Sequence, residues 1–571
     1  MSRRAGAAAG LAAALLWMAL CARWFDVGWA RPAWLTAVSP APLALATAAL
    51  LALWWRSGRP SARGTPEHGA GAAAWPLLLV VGLAVLFRLP LLWQGAAAYV
   101  TADGALSGIV ALHVREGTER LVFVPHVPYS GSLKSHLTAP LSLVMDTARA
   151  FAFASVLFYA GFVAALYRLA RELREAPAWT ALAASLYAAF APAFVTRYSL
   201  SNDGNYVEVL ALGTLALVLG VRWVRDPERR APTALLLGLV LGVAFWCHIL
   251  AVIYAAALGS FLLLAAWRAA LRSAPAALCG LALGAFPSLL WNAANGWASF
   301  HYLLPGGTPV GEADAGPPFG ARLAGLLADH APVLLGYDPG YPRFADVALT
   351  AAAFATLVLA LAGLVVAARI AVREKCDVLR LLLVLVAVNV ATALFALPYI
   401  PGNPRYLLFL VAPVAAFLAL LLRAPRARPV FAAVVALGAL GSLAQAPGAS
   451  VSDARWRGFV ADLEREGVRW CYTDFYLATK VNFLSEERVV CSAKLGPTTT
   501  EYFFEYRAQV EQAPEAAYIA VNDDNADKLA RRLARLGVTC ERLDSMKPVL
   551  LRLSRKVDPV ELFPDRAFPL R

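Results

Sequence analysis

Apolar runs of about eighteen or more residues recur along this chain as far as about residue 446, each long enough to cross a bilayer core of about 30 Å. Backbone polar groups in hydrocarbon must bond within their own segment, so such runs fold as helices. Hydropathy marks about thirteen candidate spans, at 8–24, 33–54, 75–94, 148–168, 178–196, 206–222, 232–248, 250–267, 275–291, 346–369, 378–398, 406–422 and 430–446. Composition agrees: 60% of residues are hydrophobic and 16% charged, whereas soluble domains carry about a quarter charged. Arg3-Arg4 ahead of the first run resembles a leader, but a second run follows at once, and the first reads as a retained helix.

A formal charge of +13 could suggest a nucleic-acid partner. The arginines, however, sit in short clusters between apolar runs rather than along one polar face, so they speak of topology and no nucleic acid is expected. With the N-terminus in the cytoplasm, Arg56, Arg59 and Arg63 fall in one inner loop, Arg168, Arg171 and Arg174 in the next, then Arg222, Arg225, Arg229 and Arg230. Arg268 and Arg272, then Arg369, Arg373 and Lys375, then Arg423, Arg426 and Arg428 follow on the same side, as the positive-inside rule requires. The opposite loops, long at about 95–147 and 292–345, are rich in acids, histidines and prolines and face outward. An odd number of spans puts the tail on that outer face as well.

The chain therefore divides into a membrane domain, 1–449, and a tail, 450–571, expected in the periplasm of a bacterial-type inner membrane. In the tail, helix-like stretches (454–466, 475–485, 502–514, 524–536) alternate with β-rich runs at Val468–Tyr472, Val489–Ser492, Tyr518–Val521, Val538–Leu543 and Val549–Leu553. That alternation predicts a small α/β unit, without a glycine loop for nucleotides. The fold class is thus mostly α, a polytopic membrane protein with a small extracytoplasmic α/β domain. Cys471, Cys491 and Cys540 lie in the tail without metal-ligand spacing; one disulfide and a leftover thiol are possible, and sequence does not fix the pairing.

The spans carry almost no mid-span acids or lysines, so the chemistry is expected in the outer loops. The first long loop holds Tyr99-Val-Thr-Ala-Asp103-Gly104, then Val124-Pro125-His126, then Lys134. A second constellation reads Arg197-Tyr198-Ser-Leu-Ser-Asn202-Asp203-Gly204-Asn205-Tyr206-Val-Glu208, and a third Pro401-Gly402-Asn403-Pro404-Arg405-Tyr406. Phe245-Trp246-Cys247-His248 and Trp291-Asn292 mark further outer edges.

In these loops the sequence resembles the polytopic C-type-fold glycosyltransferases that use polyprenyl-phosphate-linked sugars, such as protein O-mannosyltransferases and the aminoarabinose transferase of lipid A. The resemblance implies a sugar donor on a polyprenyl phosphate, an acceptor hydroxyl on a protein, lipid or glycan, and inverting transfer. It implies Asp103 as the base and Lys134 and Arg405 as contacts to the donor phosphate. His126, Asp203, Glu208 and Tyr406 fall to substrate binding. Many relatives carry an acidic pair where Gly104 follows Asp103 here; one carboxylate must then suffice, and no cofactor is expected, although a divalent cation is not excluded.

Chemistry supports the assignment, since inverting transfer from a lipid phosphate needs a base for the hydroxyl and cations for the phosphate that leaves. Plainer duties stand beside each role. Asp103 suits a helix N-cap, Lys134 a snorkelling lysine, Arg405 an interfacial anchor, and Asn202-Asp203-Gly204 an ordinary turn. Glu208, an acid just inside a span, needs a partner wherever it lies. A transporter or lipid-linked-sugar flippase also has about a dozen spans, but is expected to show broken helices and paired repeats around mid-membrane binding groups.

Overall fold

The computed structural model describes residues 3–27, 39–57, 74–173, 177, 179–201, 204–303, 317–339, 343–495, 501–543 and 547–564. Up to residue 465 these are mostly helical. The chain opens with α1 (Arg3–Trp24), α2 (Pro40–Ser57), α3 (Trp75–Tyr99) and α4 (Ala102–Glu116), then a hairpin of β1 (Phe123–Val124) and β2 (Val127–Gly131). There follow α5 (Leu133–Leu141), α6 (Thr147–Arg171), α7 (Trp179–Ala189), α8 (Ala193–Tyr198), α9 (Tyr206–Arg225), α10 (Arg230–Cys247) and α11 (Ala251–Gly284). Next come α12 (Phe286–Ala294), α13 (Ala298–Leu303), α14 (Phe319–Gly325), α15 (Ala331–Leu334), α16 (Arg343–Arg373) and α17 (Asp377–Phe395). A 3₁₀ turn at Arg405–Leu410 leads into α18 (Val411–Leu421), followed by α19 (Ala427–Ala444) and α20 (Ala446–Arg465).

Eight of the described helical stretches are long and apolar enough to cross a membrane. The thirteen expected spans do not all appear as unbroken helices, for local reasons. The span at 178–196 is cut where Pro192 starts α8, and Arg405–Leu410 winds as 3₁₀ before α18. The spans 250–267 and 275–291 meet in α11, which breaks at Ala266, a residue with non-helical φ −160° and ψ 64°. Beyond that break α11 lies against α10 through Gly238, Gly242, Gly280 and Gly284; a Cβ on Gly238 would meet the Ala277 carbonyl oxygen at 1.9 Å. Between helices in lipid, such small residues let backbones approach and gain dispersion contact.

Arg88, midway along α3, is wholly buried. Its Nη1 donates to the carbonyls of Ala84 (2.9 Å) and Ala189 (2.8 Å), and its Nε to Ser199 Oγ at 2.6 Å. The guanidinium also lies 3.9 Å from the centre of the Tyr159 ring. Breaking the helix at residues 190–192 leaves carbonyls that water cannot reach, and Arg88 supplies one of them with a donor.

The tail begins where α20 leaves α19. Its sheet has the order β4-β3-β5-β7-β6, formed by β3 (Trp470–Tyr472), β4 (Val490–Ser492), β5 (Ala517–Ala520), β6 (Cys540–Leu543) and β7 (Val549–Leu553). Helices α21 (Phe475–Leu484), α22 (Phe504–Gln512), α23 (Asp523–Arg535) and α24 (Pro559–Leu562) alternate with these strands. The first three strands in sheet order run parallel, and Cys471 and Cys491, direct partners across β3 and β4, form a disulfide. Cys540 is a free thiol.

Candidate active site

Five chain segments meet at the tail-bearing end of the bundle: the α3–α4 turn, the end of α8, the start of α9, the β2 strand with the α10–α11 turn, and the 3₁₀ turn at Arg405. The opposite end carries the arginines, where Arg225 Nη1 lies 2.8 Å from Glu172 Oε2. Asn205, in the left-handed region at φ 59°, ties the site together. Its Nδ2 donates to Ser130 Oγ (3.1 Å), the Gly131 carbonyl (2.6 Å) and the Cys247 carbonyl (2.9 Å), fastening the hairpin to the end of α10. Asn tolerates that backbone region better than most residues, which fits it to this junction.

Tyr206, at the first turn of α9, is the hub. Asp103, Arg405, Tyr406 and Tyr198 all lie within electrostatic range of its hydroxyl. Its ring centre is 5.3 Å from that of His248, 6.0 Å from Tyr198 and 6.2 Å from Tyr406. Tyr198 donates to Asn403 Oδ1 at 3.1 Å, and His248 Nδ1 accepts from the Leu250 N–H at 3.1 Å.

Asp103 stands exposed in the first turn of α4. The capping duty open to it belongs instead to Thr101, whose hydroxyl accepts from the Gly104 N–H at 3.2 Å. Arg405 is half-buried and donates to the Tyr406 hydroxyl at 3.0 Å, with its guanidinium 5.0 Å from the centre of that ring. Its Nε is buried with no hydrogen-bond partner among the described residues. A buried guanidinium donor without an acceptor costs free energy, and an anionic oxygen seated there relieves it.

Other expected residues lie elsewhere. Lys134 is not at the loop surface: it is 1% exposed, with Nζ 3.1 Å from Glu208 Oε1, which is 1% exposed too. Lys134 also donates to Ser155 Oγ at 3.0 Å and lies 4.8 Å from the centre of the Phe151 ring. The departure from the expected phosphate contact has a plain cause: α5 turns the side chain into the bundle, where the acid of α9 matches its charge. Glu208 in turn points inward and not to the Tyr206 cluster's open side. His126 is likewise separate; it sits at the tip of the β1–β2 hairpin at φ 57°, its ring 4.5 Å from Phe504 and 6.4 Å from Tyr502 of the tail. Burial holds that imidazole below its ordinary range. Asp203 lies outside the described residues. Tyr198, Tyr206, Arg197 and His248, none of them an expected site residue, join the cluster; the aromatic density of Arg197–Tyr206 and the His248 motif were the signals. Arg197 is exposed, 5.3 Å from the centre of the Tyr198 ring.

The tail braces the helix that carries Asp103. Phe483 of α21 lies so close to Gly108 that a Cβ there would meet its ring at 2.4 Å. His113 is held between Glu119 (3.1 Å) and Glu487 (3.0 Å), and Arg115 reaches Glu486 at 3.2 Å. Burial opposes the charge on His113, but Glu487 and Glu119 outweigh it and push its pKa up to about 9. An imidazole raised from about 6.5 stabilises docking fully below pH about 6.5, and that contribution fades as pH rises through about 9. We therefore expect the tail to lose protease protection progressively across that window. His113→Gln should weaken docking most below pH about 6.5, progressively less towards pH about 9, and so flatten the dependence, as limited proteolysis of the two proteins checks.

Residues 136–291 match the dolichyl-phosphate-mannose-protein mannosyltransferase family. No curated protein matches the chain in sequence. Among solved structures, ArnT from Cupriavidus metallidurans in the apo state is similar at TM-score 0.58 and 11% identity, over 84% of this chain and 98% of that one. The same protein bound to undecaprenyl phosphate matches at TM-score 0.55 and 11% identity, with the same coverage. AglB, an oligosaccharyltransferase from Archaeoglobus fulgidus, matches at TM-score 0.46 and 11% identity, over 80% of this chain and 71% of that one. The fold is that of ArnT.

Proposed function

We propose that this membrane glycosyltransferase moves a sugar from a polyprenyl-phosphate donor to an acceptor hydroxyl at the tail-bearing end, with inversion at the anomeric carbon. One observation carries the reading: an exposed carboxylate, Asp103, and a guanidinium with a buried unbonded Nε, Arg405, share the surroundings of one tyrosine hydroxyl at the bundle edge. In the proposed step, Asp103 takes the proton of the acceptor hydroxyl as that oxygen attacks the anomeric carbon. The bond from that carbon to the phosphate oxygen breaks, and polyprenyl phosphate leaves against Arg405 and Tyr406. Lys134 and Glu208 hold the floor of the site rather than the donor, and Asp203 keeps its expected place beside the sugar. The acceptor hydroxyl belongs to a protein, lipid or glycan.

The topology goes with this reading. The eight long stretches, the shorter apolar segments Ala9–Trp24, Pro40–Ala49 and Arg405–Leu421, the broken pair α7–α8 and the second arm of α11 support thirteen crossings. Arginine clusters at the end remote from the tail support a cytoplasmic N-terminus and a periplasmic tail, 450–571, in a bacterial inner membrane. The disulfide of Cys471 and Cys491 supports the same side, because such bonds persist in oxidising compartments.

The test is to incubate the purified protein with polyprenyl-phosphate sugars and candidate acceptors and to follow masses. Gain of one sugar by the acceptor with release of polyprenyl phosphate is the expected result. Movement of the intact lipid-linked sugar across vesicles without transfer would instead identify a flippase. Within this assay, Arg405→Ala should raise the apparent KM for donor roughly 10- to 100-fold, the loss of a charge-assisted hydrogen bond of about 1.5–3 kcal/mol. Acceptor KM should barely change; an unaltered donor KM reduces Arg405 to an interfacial anchor.

A further inference from the structure

The tail carries a cavity that the transfer step does not use. From β3 the chain passes through α21 to β4 on one side, then returns through α22 to β5 on the other side of β3. The two crossover helices lie on opposite faces of the sheet: α21 packs with Cys471, Cys491 and Ile519, and α22 with Tyr472, Val490 and Tyr518. In open α/β sheets, the crevice outside the carboxyl ends of two strands where the order reverses is where ligands settle, because neither crossover helix covers it. Between β3 and β5 this crevice opens into a cavity of about 550 Å³, within the range of about 300–1,000 Å³ usual for small-molecule sites.

Its lining has a definite chemistry. Phe475 and Tyr476 follow β3, and Tyr476 is 71% exposed, an aromatic face without cover. Asp474 Oδ1 accepts from the Tyr476 N–H at 2.8 Å and the Leu477 N–H at 3.3 Å, while its Oδ2 is buried with no hydrogen-bond partner among the described residues. Asn525 adds an amide from α23. The cations are already engaged: Lys528 lies 2.6 Å from Asp524 Oδ2, and Arg532 donates to the Leu562 carbonyl at 3.2 Å and lies 4.4 Å from the centre of the Phe563 ring. With Asp474 Oδ2 open and both cations paired, the lining favours a hydroxyl donor over an anion. What fits is a neutral ring with an apolar face for the aromatics and hydroxyl donors for the carboxylate and amide.

We propose that this cavity binds a neutral saccharide, a non-reacting unit of a glycan acceptor. The fold links it to the transfer site. Phe475 packs on Tyr502 at 5.2 Å between ring centres, and Tyr502 faces His126 at 6.4 Å, the tip of the hairpin. The far end of that hairpin is bonded to Asn205, and Ser130 bridges to His248. The five residues of β2 span roughly 15 Å at about 3.3 Å each. One sugar cannot occupy both places, whereas an oligosaccharide lying along the hairpin can. That the bound glycan is the acceptor rests on the transferase reading; that the cavity holds saccharide does not.

The experiment is saturation-transfer NMR on the full-length protein in a sugar-free detergent, with neutral gluco-, manno- and galacto-oligosaccharides as probes. At least one series should bind, and Tyr476→Ala and Asp474→Asn should each weaken it about tenfold or more. Neither change threatens the fold, since Tyr476 is exposed and Asn caps a helix about as well as Asp. If no series binds, or if both tail variants bind unchanged, the cavity assignment falls while the transferase reading stands. If probe binds in the cavity but Tyr476→Ala leaves acceptor KM unaltered in the transfer assay, the acceptor role falls.

Discussion

Asp103→Asn should lower turnover by about 100-fold or more, the usual contribution of a positioned base, and leave the melting temperature in detergent near that of the wild type. Asn keeps the shape of the side chain and loses its charge and basicity. Folding should change little, because Thr101, not Asp103, caps α4 and Asn matches Asp in size. The separation of the two readouts is what makes the substitution informative. Donor KM should change little, since in the proposed step the phosphate is held by Arg405 and not by Asp103. Near-normal turnover would leave the proton of the acceptor hydroxyl without a receiver and remove Asp103 from the mechanism.

Elements carried by local pattern were legible in the sequence. The apolar runs announced the membrane helices, and all five β-rich runs of the tail became strands within two residues of their expected limits. Helix breaks were less legible. The run at 178–196 is apolar throughout except Thr180, Ser185 and Thr196, and only tertiary partners such as Arg88 and Ser442, whose Oγ donates to the Ala191 carbonyl at 2.9 Å, make an interrupted helix tolerable there. Sheet order was equally out of reach, since parallel β3 and β5 are joined by contacts between residues more than forty positions apart.

The site divides along the same line. Asp103, Arg405 and Tyr406, expected from motifs beside span ends, do come together around Tyr206, because position along the chain already says which face a residue occupies. His126 was placed beside Asp103 because the two share a loop, yet the hairpin carries it to the tail. Tyr206 stood in the second constellation without a role, and nothing local marks it as a tyrosine that Asp103, Arg405, Tyr198 and Tyr406 all face. Lys134 looked like a surface group and Glu208 like an acid in need of some partner, but the pairing of residues from α5 and α9 is not written in either segment.

That pair should show the largest stability effects in the molecule. Lys134 and Glu208 are each 1% exposed and 3.1 Å apart, and neither Glu208 oxygen has a hydrogen-bond partner among the described residues. Desolvation of both charges leaves their attraction as the main compensation, so removing one strands the other in a medium that cannot solvate it. Lys134→Ala or Glu208→Ala should therefore cost about 3–5 kcal/mol, read as a sharp fall in melting temperature and in yield of folded protein. Removing both charges together is different: Lys134→Met with Glu208→Gln should regain most of that loss, because no uncompensated charge remains. A lysine that instead met the donor phosphate gives the opposite pattern, with donor KM raised in Lys134→Ala, little change in melting and no rescue by Glu208→Gln. The melting temperatures of the three variants, set beside donor KM for those that fold, decide between a buried strut and a donor contact.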